Sequence, residues 1–138
     1  MKRSVLFTKI LIITLALTGI AYAGVTLQYF TAKSNSEGIL VEWKTMQENN
    51  TSKFELERSA ETPDNFIYVA TINATGDNSF YSYQDNSVDL QNGRNSIYRY
   101  RLKCIDNTGS STYTQSISVI HEVSGIRSTW GSIKAIFR

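Results

Sequence analysis

Few residues of this sequence could carry out catalytic chemistry. The chain has 138 residues, of which one is a histidine, His121, and one a cysteine, Cys104. A lone histidine near the end of a strand is more often a satisfied structural residue than a general base, and no nucleophile elbow occurs in the chain. Cys104 alternates with apolar residues in its strand, so its thiol is expected to fill core space. We therefore predict a protein that is not an enzyme.

The acidic residues suit structural roles better than acid–base or metal chemistry. Glu55 and Glu57 share one face of a strand near arginine residues, which favours salt bridges over a pair of carboxylates with different pKa values. Asp85, Asp89 and Asp106 lie in or beside turns, where Ca²⁺ could find oxygen ligands, but without the alternating acidic spacing of a calcium loop. Turn-stabilising hydrogen bonds explain them better. We predict no metal and no cofactor.

The first 23 residues have the three parts of a secretory signal peptide. Lys2 and Arg3 form a basic start, an apolar stretch follows, and Ala-Tyr-Ala at 21–23 supplies small residues for cleavage. The uninterrupted apolar part is shorter than the ~20 residues of a membrane span, so an anchor is the less favoured alternative. We predict a protein secreted or held at the cell surface, with no stable membrane span after cleavage.

Removal of this segment changes the charge of the chain. Without Lys2, Arg3 and Lys9, 11 of the 14 basic residues remain against 12 acidic ones, a net charge of −1. Nucleic-acid binding depends on an excess of positive charge. We therefore predict no nucleic-acid partner.

Alternation of apolar and polar residues dominates the rest of the chain. It predicts seven strands, at residues 25–32, 39–45, 53–59, 66–73, 80–85, 97–105 and 112–120, separated by turns rich in Asn, Asp and Gly. Val25, Leu27 and Tyr29 are expected on one side of the first strand, and Tyr113, Ile117 and Val119 on the core side of the last. Because each strand has one apolar face, two sheets must cover each other, and the sequence predicts an all-β, two-layer sandwich over residues 24–120.

Three further features follow from this pattern. Trp43, on the second strand, is expected at the centre of the sandwich, and Tyr98 could bond back to the preceding loop as a tyrosine corner. The basic residues of the sixth strand (Arg99, Arg101 and Lys103) alternate with its core residues. If the third and sixth strands pair, this basic face lies beside Glu55 and Glu57 in a ladder of opposite charges. We interpret the ladder as structural rather than as a binding surface.

Several segments together resemble fibronectin type III-like modules of secreted proteins from Bacteroidota-type bacteria. They are, in order, ILVEWKT at 39–45, ENN at 48–50, FELERS at 54–59, YSYQD at 81–85, and YRYRLK at 98–103 followed by Asp106 and Gly109. The resemblance covers Val25 to Ile120. It implies a seven-stranded immunoglobulin-like sandwich, a fold that serves many functions. In that group the module usually accompanies a catalytic or adhesive domain.

The C-terminal tail, residues 121–138, departs from this pattern. If its last nine residues are helical, an apolar stripe lies beside basic residues, and so short a helix needs a partner. The possible interaction residues are Trp130, Ile133, Lys134, Phe137 and Arg138. The tail could pack on the sandwich, act as a sorting signal or bind a membrane surface.

These observations lead to two functional hypotheses. The first is a secreted, non-enzymatic module that contacts extracellular proteins or glycans in an accessory or adhesion role. Its contact loops would be residues 46–52, 76–79 and 106–111, which a sandwich gathers at one end. The alternative is a self-associating structural subunit of a filament or surface layer, assembled through an edge strand or the tail.

Overall fold

Alternating side chains give extended strands throughout the described part of the protein. The computed structural model describes residues 24–88 and 96–121; the predicted signal peptide and most of the tail lie outside these ranges. The strands are β1 (Thr26–Asn35), β2 (Gly38–Gln47), β3 (Thr51–Ala60), β4 (Ile67–Asn73), β5 (Phe80–Asp85), β6 (Ser96–Asp106), β7 (Ser111–Tyr113) and β8 (Ile117–His121). Within these ranges no helix is long and apolar enough to cross a membrane.

The strands form two antiparallel sheets. One sheet has three strands in the order β1-β2-β5, and the other has the order β4-β3-β6, with β7 and β8 pairing successive parts of β6. The predicted all-β architecture of two apolar-faced layers is confirmed.

An aromatic cluster fills the space between the sheets. Trp43 of β2 is fully buried and stacks on Tyr81 of β5, with ring centroids 5.2 Å apart. Across the sandwich, the centroid of Phe54 in β3 lies 5.8 Å from that of Trp43, in an edge-on arrangement. Such pairs add about 0.5–1.5 kcal/mol to what burial alone contributes. The expected central position of Trp43 is confirmed.

The predicted seventh strand is two strands in the structure. β7 ends at Tyr113 and β8 begins at Ile117. Between them the Thr114 hydroxyl accepts a hydrogen bond from the Leu102 amide at 3.0 Å, and the Thr114 amide donates to the Leu102 carbonyl at 3.0 Å. A side chain thus replaces one backbone acceptor of the ladder, and the strand is interrupted there.

Two tyrosines do not lie where alternation predicts them: Tyr29 is expected on the same side as Leu27, and Tyr113 on the core face. Register shifts between Thr26 and Tyr29 turn the start of β1, so that Tyr29 is 37% exposed and Phe30 packs on Trp43. Tyr113 of β7 is 52% exposed and lies over the guanidinium of Arg101. An irregularity of one residue reverses the face of every side chain beyond it, and single-residue alternation does not reveal such a shift.

The predicted charge ladder is present on the outer face of the larger sheet. Arg101 Nε donates to Glu57 Oε2 at 2.7 Å, and Lys103 Nζ lies 3.1 Å from Glu55 Oε2. The Arg101 guanidinium is also held between the rings of Phe66 and Tyr113, 4.1 and 4.3 Å from their centroids. The Glu57–Arg101 pair is worth about 0.2–1 kcal/mol in such a cross-strand position.

A buried carboxylate joins the two sheets at the end near the β1–β2 turn. Asp85, at the end of β5, is 1% exposed. Its Oδ2 accepts hydrogen bonds from Arg58 of β3 at 2.6 Å and from the Tyr100 hydroxyl of β6 at 2.8 Å. Its Oδ1 accepts from the amide and hydroxyl of Ser87. A side chain at Gly38 would place its Cβ 2.1 Å from the Asp85 carbonyl oxygen, so this junction requires a glycine there.

The hydrogen bonds keep Asp85 ionised although it is buried. Burial raises the pKa of this carboxyl, but the donors from Ser87, Tyr100 and Arg58 outweigh burial and hold the pKa below 3.8. Burial and the neighbouring Asp85 carboxylate raise the pKa of the Tyr100 hydroxyl, which therefore remains a donor. The junction is thus an ion pair in which both oxygens of the Asp85 carboxylate are satisfied, while the Arg58 Nε is buried without a hydrogen-bond partner among the described residues.

Replacement of Asp85 tests this junction. Asp85→Ala leaves the Arg58 guanidinium buried without its partner, and we expect the free energy of unfolding to fall by about 3–5 kcal/mol in urea titrations. Asp64→Asn, an exposed carboxylate in the β3–β4 connection, is the control and should change little.

The pH dependence provides a second test of the same residue. Because the folded-state pKa is depressed, the stabilisation is complete above about pH 4 and is lost as the pH falls through the folded-state value. The wild type should therefore lose stability in acid more steeply than Asp85→Asn. Equal slopes would contradict the junction.

Candidate functional site

The interaction residues predicted in the tail lie outside the described residues. They are Trp130, Ile133, Lys134, Phe137 and Arg138. Their role stays a prediction. The described residues do include the other predicted contact site, the three loops expected to meet at one end of the sandwich.

The structure brings these three loops together. The Gly76 amide donates to Glu48 Oε2 at 2.8 Å, and the Glu48 amide donates to Asp77 Oδ1 at 2.7 Å, joining the β2–β3 and β4–β5 connections. The Asn107 amide donates to the Asn50 carbonyl at 2.9 Å, joining the β2–β3 and β6–β7 connections. The loops therefore form one surface, which we name the loop cluster (residues 46–52, 74–79 and 106–111).

Glu48 is the centre of the loop cluster. Its side chain is 4% exposed, and its Oε1 accepts from the Thr45 hydroxyl at 2.9 Å and from the Tyr81 hydroxyl. With the Gly76 amide on Oε2, the carboxylate has donors from β2, β5 and the connection between β4 and β5. A buried carboxylate is tolerated only when it is satisfied in this way, and the arrangement fixes the loops to the sheets.

The sequence explains the tight turn that buries Glu48. Asn49 and Asn50 have φ values of 35° and 62°, in the left-handed region that asparagine tolerates better than most residues. The Thr51 amide closes the turn by donating to the Glu48 carbonyl at 2.8 Å. The Asn49 side chain donates to the Gly24 carbonyl at 2.8 Å, which holds the chain leading into β1 against the turn.

The outer surface of the loop cluster is polar apart from Met46, which is half exposed. Its exposed side chains offer amide, hydroxyl and carboxylate groups: Asn49, Asn50, Asp77, Asn78, Asn107, Thr108 and Ser110. Asp106 is engaged by its own turn, since its Oδ1 accepts from the amides of Thr108 and Ser110 and from the Thr108 hydroxyl. The turn interpretation of Asp106 is therefore confirmed.

A hollow of about 200 Å³ lies beside the loop cluster. Most of its lining surface is apolar, and the lining residues include Asn49, Thr51, Asp106, Ser110, Val25 and Cys104. Burial raises the pKa of the Cys104 thiol to about 11, so at neutral pH the thiol is uncharged and lines the hollow without acting as a nucleophile.

At the opposite end, His121 is paired with a serine. Its Nδ1 lies 2.7 Å from the Ser34 hydroxyl oxygen, and the imidazole is 3% exposed. A serine bonded to a histidine is part of acyl-transfer sites, but those also need an orienting group and oxyanion donors. Ser34 and His121 belong to different sheets, so the pair also joins β1 to β8.

Metal ligands do not converge anywhere in residues 24–88 and 96–121. No group of three His, Cys, Asp or Glu side chains there could hold an ion.

Sequence reasoning identified the three loops but missed the two buried carboxylates. It assigned Asp85 to a turn, which the Ser87 bonds partly bear out, and gave no role to Glu48. The available signal was weak: Glu48 precedes two asparagines, and Asp85 ends a strand of alternating tyrosines. Each carboxylate has one donor residue nearby in the chain, but its other donors lie 15 to 33 positions away, and local patterns do not reveal them.

Comparison of the chain with family models, with curated proteins and with solved structures gives no match. Its function is therefore argued from the arrangement of its own residues. A two-sheet sandwich serves many functions, so the loop cluster indicates the function better than the fold does.

Removal of the Glu48 carboxylate tests whether it organises the loops. Glu48→Ala removes the acceptor of the Gly76 amide and the shortest hydrogen bonds of the Thr45 and Tyr81 hydroxyls, and we expect a loss of about 2–3 kcal/mol in the free energy of unfolding. Amide hydrogen exchange should quicken at Gly76 and Thr51. Glu37→Ala, in the exposed turn at the other end, is the control; equal exchange in both variants would contradict this role of Glu48.

Proposed function

We propose that the protein is a secreted or cell-surface, non-enzymatic module that contacts extracellular protein or glycan through the loop cluster. The observation that carries the proposal is the joining of three polar loops: the buried carboxylate of Glu48 fixes the β2–β3 and β4–β5 connections, and the Asn107 amide bonds the third loop to the Asn50 carbonyl. Loops fixed in one conformation lose little conformational entropy on binding, so their exposed amides and hydroxyls are free to form hydrogen bonds with a ligand.

We further propose that the sandwich is a fibronectin type III-like module. Two findings support this assignment. The order β1-β2-β5 opposite β4-β3-β6, with the last strands beside β6, corresponds to immunoglobulin-like strands A, B and E facing C, F and G, with an extra strand beside C. The buried Trp43 and the bond from Tyr100 to the end of β5 are also consistent with such a module.

The external location rests on the N-terminal residues. Residues 1–23 have the composition of a cleavable signal peptide, and the chain after them has a net charge of −1. A cationic partner surface or a neutral glycan is therefore better suited to the module than a nucleic acid.

The non-enzymatic proposal makes a prediction for Ser34 and His121. Their hydrogen bond is assigned to joining the sheets, so the wild type, Ser34→Ala and His121→Ala should hydrolyse p-nitrophenyl acetate and butyrate at the same background rate. The measurement is the initial rate of p-nitrophenol release. Turnover by the wild type that both substitutions abolish would identify a hydrolase instead.

Substitution in the loop cluster tests the contact role. The variant combines Asn107→Ala with Asn50→Gly, because glycine adopts the φ of 62° at position 50 without strain. Fluorescently labelled protein is applied to arrays of extracellular glycans and of purified cell-surface proteins. We expect the variant to lose at least about tenfold in affinity for whichever probe the wild type binds, with an unchanged unfolding midpoint.

The control carries Ser36→Ala and Glu37→Ala in the turn at the opposite end and should bind as the wild type does. Binding that survives in the loop variant but fails in the control would place the contact surface elsewhere. Failure of the wild type to bind any probe would count against the contact role.

A further inference from the structure

The outer edge of β5 lacks the features that usually protect a sheet edge. Among the described residues, no strand pairs with β5 on the side away from β2. Its pairing with β2 runs from Lys44 and Phe80 to Ile39 and Asp85 without a register shift. Its only charged residue, Asp85, points into the core at the end of the strand and is engaged with Arg58, so no exposed charge, proline or bulge obstructs the addition of another strand.

Each other edge carries one of these protections. β1 has two register shifts, one on each side of Leu27, and an exposed lysine, Lys33. β4 has a register shift where it pairs with Leu56 and Glu57. On the remaining edge, β7 has only three residues, and β8 packs against β1. An unprotected edge beside protected ones is the place where β-strand addition meets least resistance.

The sequence of β5 is complementary to itself when two copies run antiparallel about Ser82. In this register Phe80 lies opposite Gln84 of the second copy on the outer face, and Tyr81 lies opposite Tyr83 on the inner face. Ser82 lies opposite its own counterpart. No like charges meet, and aromatic residues occupy the cross-strand positions that stabilise a sheet. The exposed ring of Phe80, 56% accessible in the single chain, would gain a neighbour.

We propose that a second copy of this chain adds to β5, so that two three-stranded sheets join into one six-stranded sheet across a twofold axis. The contact is isologous and closes as a dimer, because each copy offers the same edge. It lies beside the core rather than at the loop cluster, so both surfaces can be used at once. The proposal goes beyond the contact role and does not rest on it.

Two matched lysine substitutions test the β5 edge. Ser82 is exposed on the outer face and lies opposite Glu42 of β2; Thr71 is exposed on the outer face of β4 and lies opposite Glu55 of β3. Each lysine therefore faces a glutamate within its own chain, and both variants gain the same charge. Only Ser82→Lys sets two ammonium groups against each other across the proposed axis.

The measurement is sedimentation equilibrium of protein expressed from its full coding sequence, from about 1 μM to about 1 mM. We expect the wild type and Thr71→Lys to form dimers with the same dissociation constant, and Ser82→Lys to raise that constant at least about tenfold. A wild type that stays monomeric throughout the range would overturn the proposal. An unchanged Ser82→Lys dimer, or an equal loss in Thr71→Lys, would overturn it too.

A cysteine pair provides the positional readout. Directly opposed residues of an antiparallel pair have Cβ atoms about 4.5–5.5 Å apart, close enough for a disulfide after small adjustment. Ser82→Cys should give a covalent dimer under mild oxidation, and Thr71→Cys should not. The buried Cys104 serves as the background in both. Cross-linking of Thr71→Cys without cross-linking of Ser82→Cys would overturn the proposal.

Discussion

The packing of Trp43 against Phe54 is the contact on which the rest of the structure depends. It is the point where the two sheets meet in the middle of the core, and both side chains are fully buried. A chain of this size with a single cysteine has no internal disulfide to hold its layers together. The apolar faces produced by strict alternation must therefore cover each other, and Trp43 and Phe54 are among the largest side chains that fill the space between them.

Two buried carboxylates lie at opposite ends of this core: Asp85 joins the two sheets, and Glu48 fixes the loops to the smaller sheet. Asp85 ties β5 to β3 and β6, and Glu48 ties the β2–β3 turn to β5 and its preceding connection. Neither carboxylate adds much to the free energy of folding compared with apolar side chains of the same size. Each one favours a single packing arrangement over similar alternatives. At the Asp85 end the consequence is a closed junction. At the Glu48 end it is a set of polar loops with a defined shape, which is what a recognition surface needs.

Alternation was sufficient to predict the strands with strict period two, and it failed where the backbone departs from that period. The faces of β6 were predicted correctly from Tyr98 to Cys104, and so was the pairing of its charges with Glu55 and Glu57. Tyr29 and Tyr113 were placed on the wrong face because a bulge precedes one and a side-chain interruption follows the other. The loops were found from turn residues, whereas Glu48 and Asp85 owe their roles to distant donors that only the folded chain assembles.

The most direct test of the account is a nuclear Overhauser spectrum of the protein in solution. We predict cross-peaks between the ring protons of Trp43 and those of both Phe54 and Tyr81, since the ring centroids lie 5.8 and 5.2 Å apart. The Phe54 cross-peak joins the two sheets and can arise only if they face each other. A spectrum with the Tyr81 cross-peak but without the Phe54 cross-peak, and with the Trp43 ring accessible to a soluble paramagnetic agent, would show that the sheets do not pack as described.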